Sequence, residues 1–341
     1  MTATPLMEAR NLSVRFATPR GLVHALDDVS LKVHRGETVG LVGESGSGKS
    51  TLALTMMRAI EPSGGSLLFD GTDVGALRGK ALKPLRKRLQ MVFQDPYSSL
   101  DPRMSIARIL AEPLHAQGWD KPRINARIAE LLDAVGLPAD AASRKPAQFS
   151  GGQRQRIAIA RAIAPGPEMV VADEPVSALD VSIQAQIVNL MQDLSAQTNL
   201  AWLVIAHDLP LVHQIADRII VLYLGRVVEE APAADLIATP LHPYTAGLVA
   251  ATPTVDNAGR ARLVLKGEPP SPIDRPTGCP FHPRCPVAEA RCATDRPALT
   301  DAGDGRHVAC HYPGIVPPPL SRLFTKHTPE GEDHARPQCT R

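Results

Sequence analysis

A glycine-rich loop near the start of the chain constrains the fold more than any other sequence feature. It matches the phosphate-loop pattern G-x-x-x-x-G-K-[ST] and reads Gly43-Glu44-Ser45-Gly46-Ser47-Gly48-Lys49-Ser50-Thr51. The apolar run Thr38–Val42 leads into the loop, and Ser50–Ile60 follows with the apolar spacing of a helix. Glycines let backbone N–H groups face an anion, and the helix N-terminus adds positive charge. The pattern therefore predicts a strand–loop–helix unit that binds nucleotide phosphates.

Two side chains of this loop have predicted roles at the phosphates. We expect Lys49 to reach the β- and γ-phosphates and the Ser50 hydroxyl to bind Mg²⁺. A glycine-rich turn with an incidental lysine is the structural alternative, and the strand and helix on either side of the loop argue against it. The motif indicates that a nucleotide is bound, but not what its hydrolysis drives.

Short apolar runs elsewhere in the chain predict further strands, separated by helices. The predicted strands are Leu12–Phe16, Val29–Val33, Leu67–Phe69, Met91–Phe93, Met169–Ala172 and Leu203–Ala206. This alternation predicts an α/β fold with a mostly parallel sheet covered on both faces. From about residue 101 to 164 the pattern changes to a helical insert. Its predicted helices are Ile106–Gln117, Ile124–Val135 and Gln153–Ile163.

Two carboxylates follow the apolar run Val170–Ala172. In this fold class the carboxyl end of such a strand lies beside the phosphate loop, so both should approach the nucleotide. We expect Asp173 to make an outer contact to Mg²⁺ and Glu174 to be the general base that polarises the attacking water. A solvated turn after a buried strand is the alternative.

Polar residues also follow two other predicted strands. Gln94 could contact Mg²⁺ and the water, and His207 could contact the γ-phosphate. Either residue alone would be more typical of a surface or structural position, but their order among the other motifs favours the nucleotide. An aromatic ring before the loop could stack on the adenine. Phe16 is the candidate, with core packing as its alternative, and His24 is a weaker one.

A second glycine-rich anion site precedes the acidic pair. Ser150-Gly151-Gly152-Gln153 opens a predicted helix, where Ser150 can cap the N-terminus and the glycines expose backbone N–H groups. One phosphate loop already serves one nucleotide, and this site lies in the helical insert. We therefore expect it to contact a nucleotide held by another subunit. The structural alternative is an N-cap with a flexible turn.

Composition limits the classes of partner. The net charge of +2 gives no electrostatic case for nucleic acid as the main partner. The N-terminal residues lack the apolar core of a signal peptide, and no run approaches the roughly 20 apolar residues of a membrane span. We expect a cytosolic protein, or one docked on a membrane through partners.

The order and identity of these motifs resemble those of ABC transporter ATP-binding subunits, over about Leu6–Ala250. Between the acidic pair and His207, Ser177–Asp180 is similar to the family's D-loop. The resemblance implies an ATPase with a RecA-like P-loop nucleotide-binding domain. It also implies that two subunits pair head-to-tail around two ATP molecules. The predicted contacts to the partner's ATP are Ser150, Gly151, Gly152, Gln153 and Asp180. Residues 94–105 would receive the membrane subunits.

The C-terminal part resembles the extension of oligopeptide and dipeptide importer ATPases, and 173–186 looks like the second, F-type, ATPase of such systems. The likeness rests on Leu241–Thr245, Gly267–Ser271 and the cysteines beyond them. It implies peptide import at the cytoplasmic face of the inner membrane. The implied partners are a second ATPase subunit, expected to be a different chain, two membrane permease subunits and an extracytoplasmic peptide-binding protein. The alternatives are nickel or glutathione as cargo, or a soluble ABC ATPase without a transport role.

Four cysteines stand in a proline-rich segment, separated by five, six and seventeen residues: Cys279, Cys285, Cys292 and Cys310. This is not the paired C-x-x-C of a zinc ribbon. Four thiolates can bind Zn²⁺ or a [4Fe–4S] cluster, and reduced or disulfide-bonded cysteines are the third alternative. The resemblance to importer ATPases favours the cluster, and a metal would explain how so irregular a segment stays folded.

These patterns divide the chain into three predicted parts. They are a nucleotide-binding domain over 1–250, an irregular cysteine-containing extension over 251–319 and a disordered tail over 320–341. The basic run Lys80–Arg88 is interpreted as a solvated helix face, with attraction to anionic lipid as the alternative.

Overall fold

The computed structural model describes residues 4–177, 179–251 and 267–315. The predicted tail at 320–341, with Cys339, lies outside the described residues. The described strands are β1 (Met7–Thr18), β2 (Gly21–Val33), β3 (Thr38–Val42), β4 (Gly64–Phe69), β5 (Thr72–Asp73), β6 (Leu89–Val92), β7 (Met169–Asp173), β8 (Ala201–Ile205), β9 (Arg218–Tyr223), β10 (Arg226–Pro232), β11 (Thr300–Gly303) and β12 (Arg306–Val308).

The described helices surround two sheets. They are α1 (Lys49–Met56), α2 (Lys83–Arg88), α3 (Pro96–Ser99), α4 (Ile106–His115), α5 (Lys121–Ala134), α6 (Gly151–Ile163), α7 (Val181–Thr198), α8 (Leu209–Ile215), α9 (Ala233–Ala238), α10 (Pro243–Ala251) and α11 (Ala290–Thr294). The sequence patterns did not predict α3, α7, α8, α9, α10 and α11. Helix α1 is shorter than the predicted Ser50–Ile60, because Arg58 adopts a left-handed backbone with φ 55°.

The larger sheet has the order β11-β12-β10-β9-β3-β8-β7-β6. Its five strands β9-β3-β8-β7-β6 are parallel, as predicted, and β10, β12 and β11 continue it in antiparallel pairing. The smaller sheet, β2-β1-β4-β5, is antiparallel throughout. The mostly parallel prediction is therefore confirmed for the α/β centre and wrong for the smaller sheet, whose strands β1 and β2 are joined by a tight hairpin.

Alternation of side chains explains why the central strands are apolar throughout. In β8, Trp202 and Val204 belong to a core packed against helices of the insert, whereas Leu203 and Ile205 belong to a second core. That second core lies between the two sheets and includes Leu52 of α1. Because successive strand residues face opposite sides, a sheet covered on both faces needs an apolar residue at every position.

The extension shares this framework, which corrects one expectation. It was expected to lack regular pairing, yet β12 pairs with β10 through Glu229↔Val308 and Glu230↔His307. The ring of Phe281 is fully buried and packs edge-on against Tyr223 of β9, with centroids 5.3 Å apart. Proline disfavours regular pairing only where it stands, and 300–308 contains none. The boundary near residue 250 stays a prediction.

Candidate nucleotide site

The loop between β3 and α1 depends on glycine at positions where another residue would clash. Gly43 has φ 154°, and a Cβ atom there would lie 2.2 Å from the carbonyl oxygen of Leu222. Gly48, which precedes α1, has φ 105°, and its Cβ would lie 2.6 Å from the carbonyl of Ala25. Both positions therefore exclude a side chain, and the loop is held tightly against neighbouring backbone.

Lys49 is buried at the start of α1, with 7% of its surface exposed. Its ammonium donates to the carbonyl oxygens of Gly43 and Glu44, at 2.7 and 2.9 Å. Burial lowers the pKa of Lys49, and the carboxylates of Glu174, Asp173 and Glu44 oppose that shift. Lys49 thus donates hydrogen bonds to its own loop, and its ammonium could donate to phosphate oxygens in place of these carbonyls.

Asp173 ends β7 with 7% of its surface exposed. Burial raises the pKa of Asp173, and a hydrogen bond from the Ser50 hydroxyl partly opposes the rise. One carboxylate oxygen, Oδ1, is buried without a hydrogen-bond partner. An orphaned carboxylate oxygen beside a hydroxyl is a donor set that suits Mg²⁺, so these residues fit the metal.

Glu174 is held between Gln94 and His207. Gln94 Nε2 donates to its Oε2 at 2.9 Å, and His207 Nδ1 lies 3.3 Å from its Oε1. The three residues follow β6, β7 and β8, which are neighbours in the parallel sheet, so their side chains meet at one edge. Glu174 has a left-handed backbone with φ 46°, a strained conformation of the kind found at functional sites. The structure thus brings together Lys49 with the residues predicted to surround it.

The glycine-rich sequence at the start of α6 forms a complete capping box. Gln153 N–H donates to Ser150 Oγ at 3.3 Å, and Ser150 N–H donates to Gln153 Oε1 at 3.0 Å. Within the described part of the chain, no hydrogen bond joins residues 150–153 to the phosphate loop. The N-terminus of α6 contacts α7 instead, since a Cβ on Gly152 would lie 2.4 Å from Ile183 Cγ2.

The structure also describes three further residues that were predicted to contact ATP. Phe16 stands in β1 opposite Val23, with 39% of its surface exposed. Asp180 occupies the N-cap position of α7 without capping it through its side chain. The carbonyl of His24 accepts a hydrogen bond from Arg275 Nη2 at 3.0 Å. The roles of these residues toward ATP stay predictions.

The sequence patterns missed two residues from the C-terminal part of the chain that contact the loop. The hydroxyl of Tyr244 accepts the N–H of Glu44 at 2.8 Å, and Arg284 pairs with the Glu44 carboxylate. Both lie in segments singled out for their likeness to a family, but nothing in their local sequence indicates a partner 200 or more residues away.

The four cysteines predicted as metal ligands are free thiols that line one cavity. Burial raises the pKa of Cys285 to about 11 and also raises the pKa of Cys279 and Cys310. His282 and His311, interpreted from sequence as surface residues, also line this cavity. Across the described ranges, no group of three or more His, Cys, Asp or Glu residues is placed to hold a metal ion. The metal therefore stays a prediction, and disulfides among these four are absent.

Comparisons with known proteins place two family models on the chain. Residues 26–177 match the model described as ABC transporter, and residues 228–292 match the oligopeptide/dipeptide transporter C-terminal region.

Among the described helices, none has the length and apolar character needed to cross a bilayer.

Individual relatives cover most of the chain. A Brucella ovis protein named as a peptide import ATP-binding protein is 49% identical over 91% of this chain and 98% of its own length. The oligopeptide transport ATP-binding protein AppF of Bacillus subtilis is 47% identical over 90% of this chain and 97% of its own.

Solved structures give the same picture of the fold. The ATP-binding cassette MJ0796, a dimer in a post-hydrolysis state with ADP and Pi, is 30% identical with a TM-score of 0.61. The match covers 67% of this chain and 98% of that one. The protein cbiO1 of Clostridium perfringens, part of the ABC transporter complex cbiONQ, has a TM-score of 0.63 at 25% identity over 69% of this chain and 92% of its own.

Proposed function

Because the chain belongs to the ABC transporter ATP-binding proteins, in the branch with the oligopeptide/dipeptide C-terminal region, we propose that it is the ATP-hydrolysing subunit of a peptide importer. One observation carries the assignment of chemistry. Glu174 is held by Gln94 and His207 at the sheet edge that also carries Lys49 and Asp173. This arrangement has the parts that phosphoryl transfer needs: a phosphate cradle, a metal site and a carboxylate for water.

Each residue has a defined task in this proposal. The loop N–H groups and Lys49 bind the phosphates, for which the lysine leaves the carbonyls of its own loop. Ser50 and Gln94 would hold Mg²⁺, with Asp173 in the outer contact, and the ion would neutralise charge on the phosphates. Glu174 orients and polarises the attacking water. Gln94 and His207 fix the Glu174 carboxylate, and His207 would also contact the γ-phosphate.

The N-terminus of α6 supports the need for a second subunit. We propose that its backbone N–H groups bind an anion, and the support is that its hydrogen bonds are internal or lead away from the chain's own phosphate loop. We propose that Ser150–Gln153 and Asp180 complete an ATP site in a second, different ATPase chain. Two permease subunits, with a peptide-binding protein outside the membrane, would place the complex at the cytoplasmic face of the inner membrane.

The test of this function is the variant Glu174→Gln. It keeps the size of the side chain but cannot accept a proton from water, so we expect ATP binding to persist while hydrolysis stops. Closed ATP-bound dimers should then accumulate with the partner subunit, measured by size-exclusion chromatography with ATP and Mg²⁺. Normal turnover in this variant would overturn the role of Glu174.

We propose peptides as the cargo because the relatives are named for peptide transport, and a transport-coupled ATPase assay tests this proposal separately. The complex reconstituted with its permeases and binding protein should hydrolyse ATP faster when a di- or oligopeptide is added. Stimulation by nickel or glutathione instead of peptides would assign the other cargo.

We also propose that the cysteine cavity binds a [4Fe–4S] cluster. The support is the chemistry of the donor set, four free thiols that line one cavity, together with the likeness to importer ATPases. The protein purified without oxygen should show broad visible absorbance and about four irons per chain. A colourless, iron-free sample would reject the cluster, and zinc in its place would reassign the site.

A further inference from the structure

Glu44, the second residue of the phosphate loop, is held at three points. Its carboxylate receives two hydrogen bonds from Arg284, with Nη1–Oε2 at 2.6 Å and Nη2–Oε1 at 2.9 Å. Its N–H donates to the Tyr244 hydroxyl at 2.8 Å, and its carbonyl accepts from Lys49 Nζ at 2.9 Å. Arg284 and Tyr244 therefore hold Glu44, whose carbonyl is an acceptor for the phosphate-binding Lys49.

The Arg284 side of this contact is shielded from solvent, whereas the Glu44 side chain is 26% exposed. The side chain of Arg284 is only 5% exposed, and the pair has the two-pronged geometry that gives arginine–carboxylate contacts their strength. Tyr244 is fully buried and packs on Tyr223, with ring centroids 4.7 Å apart, and Phe281 packs on both. Removing Glu44 would leave the shielded Arg284 guanidinium without this carboxylate, so the contact should be costly to break from that side.

The turn that carries Arg284 is anchored in the cysteine cavity. This turn, His282–Arg284, is flanked by Cys279 and Cys285, which both line the cavity. The N–H of His282 donates to the carbonyl of Cys279 at 3.1 Å, and the N–H of Cys279 donates to the carbonyl of Cys292 at 2.8 Å. The backbone that positions the guanidinium is therefore hydrogen-bonded to residues whose thiols line the cavity.

We propose that Arg284 is a positioning residue of the phosphate loop. Together with Tyr244 it holds Glu44 in place, and it thereby couples the affinity for ATP to the structure of the cavity that the four cysteines line. The inference rests on the proposed function, because it assigns a regulatory input to the same ATP site. A phosphate loop that is already ordered loses little conformational entropy when ATP binds. If Glu44 is released, the loop must be ordered on binding, and the affinity falls.

A double-mutant cycle tests the coupling. We expect Arg284→Gln and Glu44→Gln each to raise the Kd for ATP with Mg²⁺ about tenfold, toward the lower end of the usual coupling between sites. The double variant should be no weaker than the weaker single one, because both remove the same contact. In the assembled complex KM should rise while kcat is kept, and Arg284→Lys should restore part of the affinity. The control Arg291→Gln, at an exposed arginine of the same segment, should leave Kd unchanged.

The cavity is tested in two backgrounds. Cys285→Ser and, independently, Cys310→Ser should raise the Kd for ATP in the wild-type chain but not in Glu44→Gln. Equal effects in both backgrounds, or additive effects in the cycle, would overturn the coupling. Failure of the proposed function looks different: the wild-type chain would not bind ATP, or Lys49→Ala would bind it equally well.

Discussion

At the scale of single residues, Asp173 shows how the nucleotide site costs stability before the ligand arrives. Its carboxylate is buried with one oxygen unpartnered, and burial raises its pKa. A carboxyl whose folded pKa is raised destabilises the folded state at pH values above that pKa, and the penalty disappears at lower pH when the group is protonated. Lys49 and the Ser50 hydroxyl offset only part of the penalty.

We therefore expect Asp173→Asn to stabilise the nucleotide-free protein by about 1 kcal/mol at neutral pH, as often seen when a functional charge is removed. The gain should shrink as the pH falls through the folded pKa of Asp173. The variant should also lose most of the thermal stabilisation that ATP with Mg²⁺ gives the wild type. Thermal unfolding with and without nucleotide measures both effects, and a less stable nucleotide-free variant would contradict the interpretation.

At the scale of elements, the contact between α6 and α7 explains why Gly152 has no side chain. The two helices approach so closely that a Cβ would lie 2.4 Å from Ile183. This contact joins the start of α6 to the helix that follows Asp180, so the two segments predicted to face a partner's ATP are supported by one packed junction. Their relative position depends on that junction.

We expect Gly152→Ala to lower the free energy of unfolding by about 1–3 kcal/mol, the usual cost of overpacking. Adding Ile183→Ala should recover part of the loss by making room. The matched control is Gly64→Ala, where the added Cβ would lie 3.9 Å from its neighbour and the backbone is not left-handed, so little change is expected. Denaturant titration measures all three, and an equal loss at both glycines would contradict this account.

At the scale of the whole molecule, the extension and the nucleotide-binding core share packing. Phe281 is fully buried against Tyr223 and Tyr244, and β12 continues the main sheet beside β10. Arg275 of the extension also pairs with Asp27 of β2, and Arg284 pairs with Glu44 of the phosphate loop. The described part of the extension is therefore joined to the core by both apolar and polar contacts.

We expect Phe281→Ala to cost about 3–5 kcal/mol, as for other large buried aromatic rings. The loss should lower the midpoint of one cooperative transition for core and extension together, measured by calorimetry. Two separate transitions, with only the smaller one shifted, would show that the extension folds independently.

The phosphate loop, the parallel strands, the insert helices and the acidic pair were predictable because each depends on neighbours in sequence. A strand that leads into Gly43, or a serine that caps α6, is specified within a few residues. The meeting of Gln94, Glu174 and His207 was also predictable in outline, since each follows an apolar strand.

Only the tertiary structure decided the contacts between distant segments. It placed Arg284 and Tyr244 on Glu44, joined β12 to β10 and set four separated cysteines around one cavity. The physical reason is that neither an ion pair across 240 residues nor a strand pairing between residues 229 and 308 leaves a periodic pattern in either partner. Local chemistry thus determined what this protein binds, whereas long-range packing decided what holds the binding loop in place.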